Sequence, residues 1–377
     1  MIGPYPRSPD RIDGGVAAAM MYLSKAIAVQ SDVELIGARI ARDGVDSGED
    51  RGLGWMVVDV PLGHLSLSSL FRRQIRRLEA LLKQYDPHIV HAQGADLAGF
   101  LAVRSDRPAV VTVHGLLGEC AKYQTRRRNR LRATLTASLT ERPTIRRTTD
   151  LITISPYVAE YYRNDIKGRV HDIPNAVAPA FFQLSRSAER GRLLFAGRIA
   201  HGKGLVELLH AVAQNPATVT KLVLAGSTPD HAYGARLRKE ADALGIGKRV
   251  NFAGLLSEQE LLNEFSLAEA LVLPSHQETA PMVVQQAMAS GLAVIATTVG
   301  GIPYQIQHEV SGLLFKAGSV GELSALIARL GHDATLAQRL GEAAKAVATI
   351  RFQASAVAEA TIAVYRTAFA RAESNSP

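Results

Sequence analysis

The chain has 377 residues, of which 47% are hydrophobic, and this length exceeds one ordinary core, so two domains are expected. Its single cysteine, Cys120, excludes a disulfide framework and a thiol-rich metal site, and we take it as a passive small side chain. No apolar segment is long enough to span a bilayer, and the N-terminus lacks the basic and apolar regions of a signal peptide. A cytoplasmic location is therefore expected.

The net charge of +8 is concentrated in one part of the chain. Residues 51–150 contain 17 Lys and Arg against 8 Asp and Glu, a local excess of +9, most of it in 72–77, 126–132 and 142–147. A basic face suits an anionic partner such as a lipid headgroup, an acidic glycan or nucleic acid, and the few aromatic residues beside it argue against single-stranded nucleic acid. We predict peripheral contact with an anionic membrane and no nucleic-acid partner, with a merely solvated helix face as the alternative.

Strand and helix patterns alternate along the whole chain, which predicts an α/β fold with parallel sheets. In the first half, Val16, Met20, Leu23 and Ile27 form one helical face, and apolar strands follow at 57–58, 89–90, 110–113 and 151–154. A polar stretch at 182–191 is typical of a linker. Residues 1–175 are predicted to form one domain and residues 190–351 another, and a long helical pattern at 352–377 closes the chain.

Three predicted strands of the second half end in the same dipeptide, Ala196-Gly197, Ala225-Gly226 and Ala253-Gly254. Small residues at the carboxyl ends of parallel strands let a ligand approach the backbone at the edge where open α/β sheets bind ligands. Ordinary turn glycines are the alternative.

The segment Gly197–Gly204, GRIAHGKG, is close to a phosphate-binding loop. It follows the pattern G-x4-G-K, but Gly204 stands where such loops carry the Ser or Thr that binds Mg²⁺. Arg198 and Lys203 remain, at a strand end and before a predicted helix. This pair can grip a diphosphate by direct charge without a metal ion, or it is simply two solvated cations.

A second segment follows the apolar strand 271–273. Glu278 lies in the loop, and Gln286 lies about one turn into the next predicted helix. A helix N-terminus with an acid nearby suits a sugar diphosphate. The chain has no Asp-x-Asp motif and no Cys/His cluster, so no metal and no other cofactor are expected.

Together these segments resemble the retaining glycosyltransferases of family 4, which have the GT-B fold of two facing Rossmann-like domains. The resemblance runs along nearly the whole chain and includes the two segments above, Gly14-Gly15, Val113-His114-Gly115, Ile173-Pro174-Asn175, Gly300-Gly301-Ile302-Pro303 and Ser311-Gly312-Leu313-Leu314.

The resemblance implies roles for individual residues. The donor-binding set comprises Arg198 and Lys203 on the diphosphate, Gln286 on the ribose, the backbone amides of Ala280 and Met282, and the Gly14-Gly15 backbone at a phosphate or the acceptor. Glu278, bound to hydroxyls of the transferred sugar, and His114, facing that sugar across the cleft, are the expected catalytic residues. The final helix is expected to cross back to the N-terminal domain.

The implied activity is metal-independent, retaining transfer from a nucleoside-diphosphate sugar to a glycan or lipid-linked acceptor, as in bacterial surface polysaccharide or glycolipid synthesis. Three positions depart from the family. Gln286 replaces the usual Glu, Tyr304 replaces a frequent Glu and receives no role, and only Ile2 remains of the usual first strand.

Other classes stay open. A catalytically impaired donor-binding partner is suggested by Gln286, and a nucleotide-sugar epimerase or a phosphorylase-like enzyme shares the fold. A nicotinamide-dependent oxidoreductase needs G-x-G-x-x-G after an early strand, which Gly14-Gly15 does not match. His91, at a strand end, is either a structural residue or a residue of the cleft. His201, His276 and His308 are taken as loop or surface histidines.

Overall fold

The computed structural model describes residues 1–6, 10–30, 32–41, 49–50, 55–61, 71–123, 127–333 and 335–374. Contacts divide the chain into two compact units. Unit 1 comprises Met1–Pro9, Ala19–Ala176 and Ser355–Pro377, and unit 2 comprises Asp10–Ala18 and Val177–Ala354. The predicted domain of residues 1–175 includes residues 10–18, whereas the contacts of this short segment lie with unit 2.

Unit 1 is built on one sheet. Its described strands are β1 (Ile2–Gly3), β2 (Ile36–Ala41), β3 (Glu49–Asp50), β4 (Met56–Pro61), β5 (Val90–Gln93), β6 (Ala109–Val113), β7 (Asp150–Thr153) and β8 (Arg169–Asp172). Their order is β3-β4-β2-β1-β5-β6-β7-β8, and every pairing is parallel except that of the edge strand β3 with β4. The short β1 lies inside the sheet, so Ile2 does mark a strand.

Unit 2 has a six-stranded sheet in the order β11-β10-β9-β12-β13-β14, parallel throughout. The strands are β9 (Arg192–Ala196), β10 (Lys221–Ala225), β11 (Val250–Gly254), β12 (Ala270–Leu273), β13 (Ala293–Thr297) and β14 (Leu313–Phe315). If the six strands are numbered within the unit, this is the order 3-2-1-4-5-6 of a dinucleotide-binding fold. Successive strands are added to one side of β9 up to β11 and to its other side from β12 onward, so the strand order reverses between β9 and β12. The predicted α/β fold with two Rossmann-like parallel sheets is therefore confirmed.

Helices connect the strands. Those described are α1 (Gly15–Ala28), α2 (Arg72–Tyr85), α3 (Leu97–Ala102), α4 (Leu117–Ala121), α5 (Arg127–Thr136), α6 (Arg142–Arg147), α7 (Pro156–Tyr161), α8 (Pro179–Phe182), α9 (Leu205–Ala213), α10 (His231–Ala243), α11 (Glu258–Leu267), α12 (Met282–Ala289), α13 (Val320–His332), α14 (Leu336–Arg351) and α15 (Ala354–Ser374). A π-helical turn, Ala137–Glu141, joins α5 to α6. None of the described helices is long and apolar enough to cross a membrane.

The apolar patterns of the sequence correspond to residues that are buried in the core. Strands β9, β12 and β13 are buried at every residue, as expected for parallel strands covered on both faces. On α1, Met20, Leu23 and Ile27 of the predicted apolar face are buried. Helix α11 starts at a capping box, in which Ser257 and Glu260 satisfy each other's backbone amides. The predicted helix 352–377 is α15, which belongs to unit 1.

Candidate functional site

The two predicted loops meet at the point in unit 2 where the strand order reverses. Residues 197–204 follow β9, residues 274–281 follow β12, and these strands are neighbours. The backbone amide of His276 donates to the carbonyl of Gly202 at 2.9 Å, which ties the loops together. Ligands of open α/β sheets bind at this position, outside the carboxyl ends of the strands.

Glycine is required where these loops approach each other. Gly204 has φ +64°, and a Cβ there would lie 2.0 Å from the carbonyl oxygen of Pro274. Gly226, which follows β10, has φ +148°, and its Cβ would lie 1.9 Å from the carbonyl oxygen of Gly197. Close backbone packing between neighbouring strand ends therefore explains Gly226, which favours the structural alternative to ligand approach at this glycine.

Lys203 and Glu278 form an ion pair between the two loops. The Lys203 Nζ lies 2.6 Å from Glu278 Oε1, and the side chains are 27% and 12% exposed. Lys203 ends the 3-10 turn His201–Lys203, directly before the N-terminus of α9. A cation and a carboxylate thus stand side by side at a strand edge, where the first can bind a phosphate and the second a hydroxyl group.

Arg198 is the second cation of this edge. Its side chain is 54% exposed, and its Nε lies 3.4 Å from Asp13 Oδ1. The hydroxyl of Ser227 donates to the same Asp13 oxygen at 2.8 Å. Asp13 belongs to the segment 10–18 that packs with unit 2. Sequence reasoning missed Asp13, for which the only signal was an acid directly before Gly14-Gly15.

Gly14 and Gly15 belong to the same segment and lie close to two of the predicted donor-binding residues. A Cβ on Gly14 would lie 3.3 Å from the Arg198 guanidinium, and one on Gly15 would lie 3.5 Å from Met282 Cγ. The structure therefore brings Gly14-Gly15, Arg198 and Met282 together within unit 2.

Helix α12 follows the Glu278 loop. Ala280 and Met282 at its entry are each 6% exposed, and Gln286, in its second turn, is 5% exposed. The first amides of a helix have no partner within the helix, and they point toward its N-terminal end. The ligand contacts predicted for the amides of Ala280 and Met282 and for the Gln286 side chain stay predictions.

His114 lies in unit 1, directly after β6, and it is partly buried. Its Nε2 lies 2.6 Å from Gln93 Oε1, and because an amide oxygen only accepts, Nε2 carries the proton. Burial lowers the pKa of His114 to about 4, although a hydrogen bond with Asn175 opposes the shift, so the ring is neutral at pH 7. A neutral imidazole binds hydroxyl groups, and its predicted catalytic role is otherwise untested.

His91 is a structural residue, which settles one of the open alternatives. It is 2% exposed, and its ring bonds Tyr365 Oη at 2.6 Å and Thr112 Oγ1 at 2.7 Å. Tyr365 lies on α15, so this buried histidine fastens the last helix to the sheet of unit 1.

The three histidines taken as loop or surface residues have defined partners in unit 2, and the backbone amide of Leu314 donates to His308 Nδ1 at 2.9 Å. The rings of His201 and Tyr233 stack with centroids 3.9 Å apart. His276 Nε2 lies 2.9 Å from Glu207 Oε1 on α9, a second link between the loop after β12 and that helix. Within the described ranges, no group of three His, Cys, Asp or Glu side chains is arranged to hold a metal ion.

Comparisons with known proteins match both halves of the chain to glycosyltransferases. Residues 13–181 match the family model for glycosyltransferase family 4, and residues 178–347 match the model for glycosyl transferases group 1. A D-inositol 3-phosphate glycosyltransferase of Streptomyces bingchenggensis is 34% identical over 197 residues. That match covers 48% of this chain and 43% of the relative, so less than half the length of that curated relative is spanned.

Solved structures match the full length of the fold. A sucrose-phosphate synthase from Thermosynechococcus elongatus has a TM-score of 0.80 and 25% identity, covering 98% of both chains. The Anabaena protein Alr3699/HepE in complex with UDP-glucose has a TM-score of 0.75 and covers 97% of this chain and 98% of its own. At 18% identity, the second likeness concerns the fold alone.

Proposed function

The chain belongs to the glycosyltransferases of group 1 and family 4, and we propose that it transfers a sugar from a nucleoside-diphosphate donor, with retention and without a metal ion. The donor occupies the carboxyl edge of the unit 2 sheet. The acceptor is a glycan or a lipid-linked sugar, of the kind assembled into bacterial surface polysaccharides and glycolipids.

The Lys203–Glu278 pair carries this proposal. It stands at the reversal point of the sheet, and its cation precedes the N-terminus of α9, where the helix dipole also favours an anion. A bound diphosphate takes Lys203 from Glu278, which leaves the carboxylate to accept hydrogen bonds from the sugar. The ion pair of the free protein is thus exchanged for two interactions with the donor.

Arg198 supports the same ligand. Its guanidinium is half exposed and makes a long contact to Asp13 at 3.4 Å. Because an exposed pair of this kind contributes little stability, the guanidinium can exchange it for a phosphate oxygen at small cost. As the bond to the sugar breaks, negative charge develops on the departing diphosphate. Fixed cations at Arg198 and Lys203 stabilise that charge where it forms, which is the task that Mg²⁺ performs in metal-dependent enzymes.

The other predicted site residues lie in the loop after β12 and in α12, and each contacts a different part of the donor. Glu278 stabilises the cationic sugar, the amides of Ala280 and Met282 bind its hydroxyls or the phosphate, and Gln286 binds the ribose. The Anabaena structure, which holds UDP-glucose, supports a donor of this class for the fold. His114 acts on the transferred sugar as a neutral hydrogen-bonding group.

Retention and metal independence are tested together by the product. The full chain is incubated with a panel of sugar nucleotides and candidate acceptors in excess EDTA, and the product is identified by mass spectrometry and its anomeric configuration by NMR. A product with the donor's configuration supports the proposal. An inverted product, or transfer that needs added Mg²⁺ or Mn²⁺, contradicts it.

A second candidate is a donor-binding partner without turnover of its own. It is favoured by Gln286, a neutral amide buried in α12 where the family usually carries a carboxylate. The two candidates differ in one result. If the wild-type protein binds a donor without turning it over and Gln286→Glu restores transfer, the partner role is correct and the enzyme proposal is wrong.

A further inference from the structure

Hydrogen-bonding side chains lead from the last helix of unit 1 to His114. Tyr365 Oη lies 2.6 Å from His91 Nδ1, and His91 Nε2 lies 2.7 Å from Thr112 Oγ1. Gln93 follows His91 by two residues on β5, so the two side chains share one face of the strand. Gln93 Nε2 lies 3.2 Å from His91 Nε2, and Gln93 Oε1 lies 2.6 Å from His114 Nε2. Gln93, which is 3% exposed, therefore connects the buried His91 to His114.

A third neighbour fixes which end of the Gln93 amide meets His114. Gln93 Nε2 lies 3.3 Å from Met1 Sδ. Because a thioether sulfur only accepts hydrogen bonds, the end of the amide that faces Met1 is its NH2 group. The carbonyl oxygen then faces His114, and it can only accept from a protonated Nε2.

The surroundings of His114 offer no charge that would stabilise an imidazolium. A cavity of about 260 Å³ lies beside its ring. The polar residues that line it with His114 are uncharged: Gln93, Thr112, Asn175 and Thr361. The titratable groups on the surrounding elements are His91, Tyr365 and the amino group of Met1. Burial lowers the pKa of His91 well below its ordinary value and that of the amino group to about 5, and it raises the pKa of Tyr365, so all three are neutral at pH 7.

We propose that Gln93 is a positioning residue that holds His114 as the neutral tautomer with its proton on Nε2. Nδ1 then keeps a lone pair, which can accept a hydrogen bond from a hydroxyl of the transferred sugar. Such a lone pair stabilises the positive charge that develops on the sugar, whereas an imidazolium would repel it. The part that His114 plays in transfer rests on the proposed function, but its tautomer is a property of the free chain.

The tautomer is measured by ¹⁵N NMR of the histidine-labelled full chain, without donor or acceptor. The His114 signals are identified as those absent from a His114→Asn protein. We expect a protonated Nε2 and an unprotonated Nδ1 between about pH 5.5 and pH 8. A proton on Nδ1, or protonation of the ring near its ordinary pKa of about 6.5, would overturn the proposal.

Two substitutions of Gln93 separate its charge from its shape. Gln93→Glu places a carboxylate on the Nε2 proton, so the pKa of His114 should rise from about 4 to between about 5 and 7. Gln93→Met keeps the length of the side chain but removes the acceptor, so the single tautomer should be replaced by a mixture while the pKa stays low. The signals of the other histidines report whether each variant is folded.

Gln84→Glu is the matched control, because Gln84 is an exposed residue of α2 in the same unit. It adds the same charge and should leave the tautomer and the pKa of His114 unchanged. A His114 that keeps both properties in the two Gln93 variants would show that Gln93 does not set them, and the proposal would be wrong.

Transfer kinetics connect the tautomer to the reaction. In Gln93→Glu, kcat at about one pH unit below the raised pKa of His114 should be roughly tenfold lower than at about pH 8, since only about a tenth of the ring is neutral there. KM for the donor should change by less than about threefold, and Gln84→Glu should show no such pH dependence. A loss of kcat that is equal at every pH would assign Gln93 a merely structural role and overturn the proposal. If the expected NMR results are found but the wild type turns over no donor, the control of His114 by Gln93 is supported and the proposed function is wrong.

Discussion

Replacing Lys203 by Ala removes the cation that both predicted loops share. In the free protein Lys203 Nζ contacts Glu278 Oε1 at 2.6 Å, and in the donor complex the same ammonium is proposed to bind the diphosphate. Its loss removes a charge-assisted hydrogen bond, worth about 1.5–3 kcal/mol. Nucleoside-diphosphate affinity should therefore fall by roughly 10- to 150-fold.

Replacing Glu278, the ion-pair partner of Lys203, should change the affinity for a sugar-free nucleoside diphosphate in the opposite direction. Glu278→Gln frees Lys203 from a pair that is 27% and 12% exposed and is worth about 0.2–1 kcal/mol. A nucleoside diphosphate without a sugar should then bind equally well or up to about fivefold more tightly. The complete sugar nucleotide should bind more weakly, since the carboxylate that accepts from sugar hydroxyls is gone.

Isothermal titration calorimetry measures the affinities of wild type, Lys203→Ala and Glu278→Gln for the nucleoside diphosphate and for the complete sugar nucleotide. Lys248→Ala is the matched control, because Lys248 also lies in a 3-10 turn of unit 2 but precedes the start of β11, at the other end of the strands. Unchanged nucleoside-diphosphate affinity in Lys203→Ala would refute the assignment. A Glu278→Gln protein that loses affinity for the sugar-free ligand would show that Glu278 serves the phosphates or the loop structure instead.

Three further outcomes are expected. Arg198→Ala should weaken nucleoside-diphosphate binding in calorimetry by about tenfold or more. Asp13→Asn removes the charge of the exposed pair with Arg198 and keeps an oxygen that can accept from the Ser227 hydroxyl, so it should change this binding by less than about fivefold; equal effects would contradict this. Gln286→Glu should lower KM by about 5- to 30-fold and change kcat by less than about threefold, because the ribose does not change charge during transfer; an effect on kcat alone in steady-state kinetics would contradict it. Burial raises the pKa of Glu141 from its ordinary value of 4.5 to about 7 in the folded chain. The resulting contribution to the free energy of unfolding is therefore fully present below pH 4.5 and is lost as the pH rises through 7. In urea unfolding, Glu141→Gln should therefore gain about 2–3 kcal/mol over wild type between pH 5 and pH 8; a difference that stays constant over this range would contradict the reasoning.

The fold was predictable because its strands are buried on both faces. Continuous apolar runs such as β12 and β13 stand out in a sequence, and glycine loops after them mark the ligand edge of the sheet. The placement of Arg198, Lys203 and Glu278 in loops after buried strands could be predicted for the same reason. Their roles at a donor stay predictions.

Contacts between distant segments could not be predicted. Asp13 meets Arg198 and Ser227, which follow it by 185 and 214 residues, and His91 meets Tyr365 across 274 residues. The π-turn Ala137–Glu141 has no periodic signature either. The basic excess of residues 51–150 predicted a charged surface, but only the structure separates the arginines paired with Asp165 from those of α5.

We expect above all that this chain turns over a sugar nucleotide at the carboxyl edge of the unit 2 sheet, beside the Lys203–Glu278 ion pair. The most direct test of this claim is the initial rate of nucleoside-diphosphate release from each member of a sugar-nucleotide panel, for the wild type and for Glu278→Gln. We predict that the wild type releases the nucleoside diphosphate from a preferred donor and that Glu278→Gln lowers kcat by about a hundredfold, because the lost charge acts mainly in the transition state. Release from no donor by the wild type, or equal rates for the two proteins, would contradict the claim.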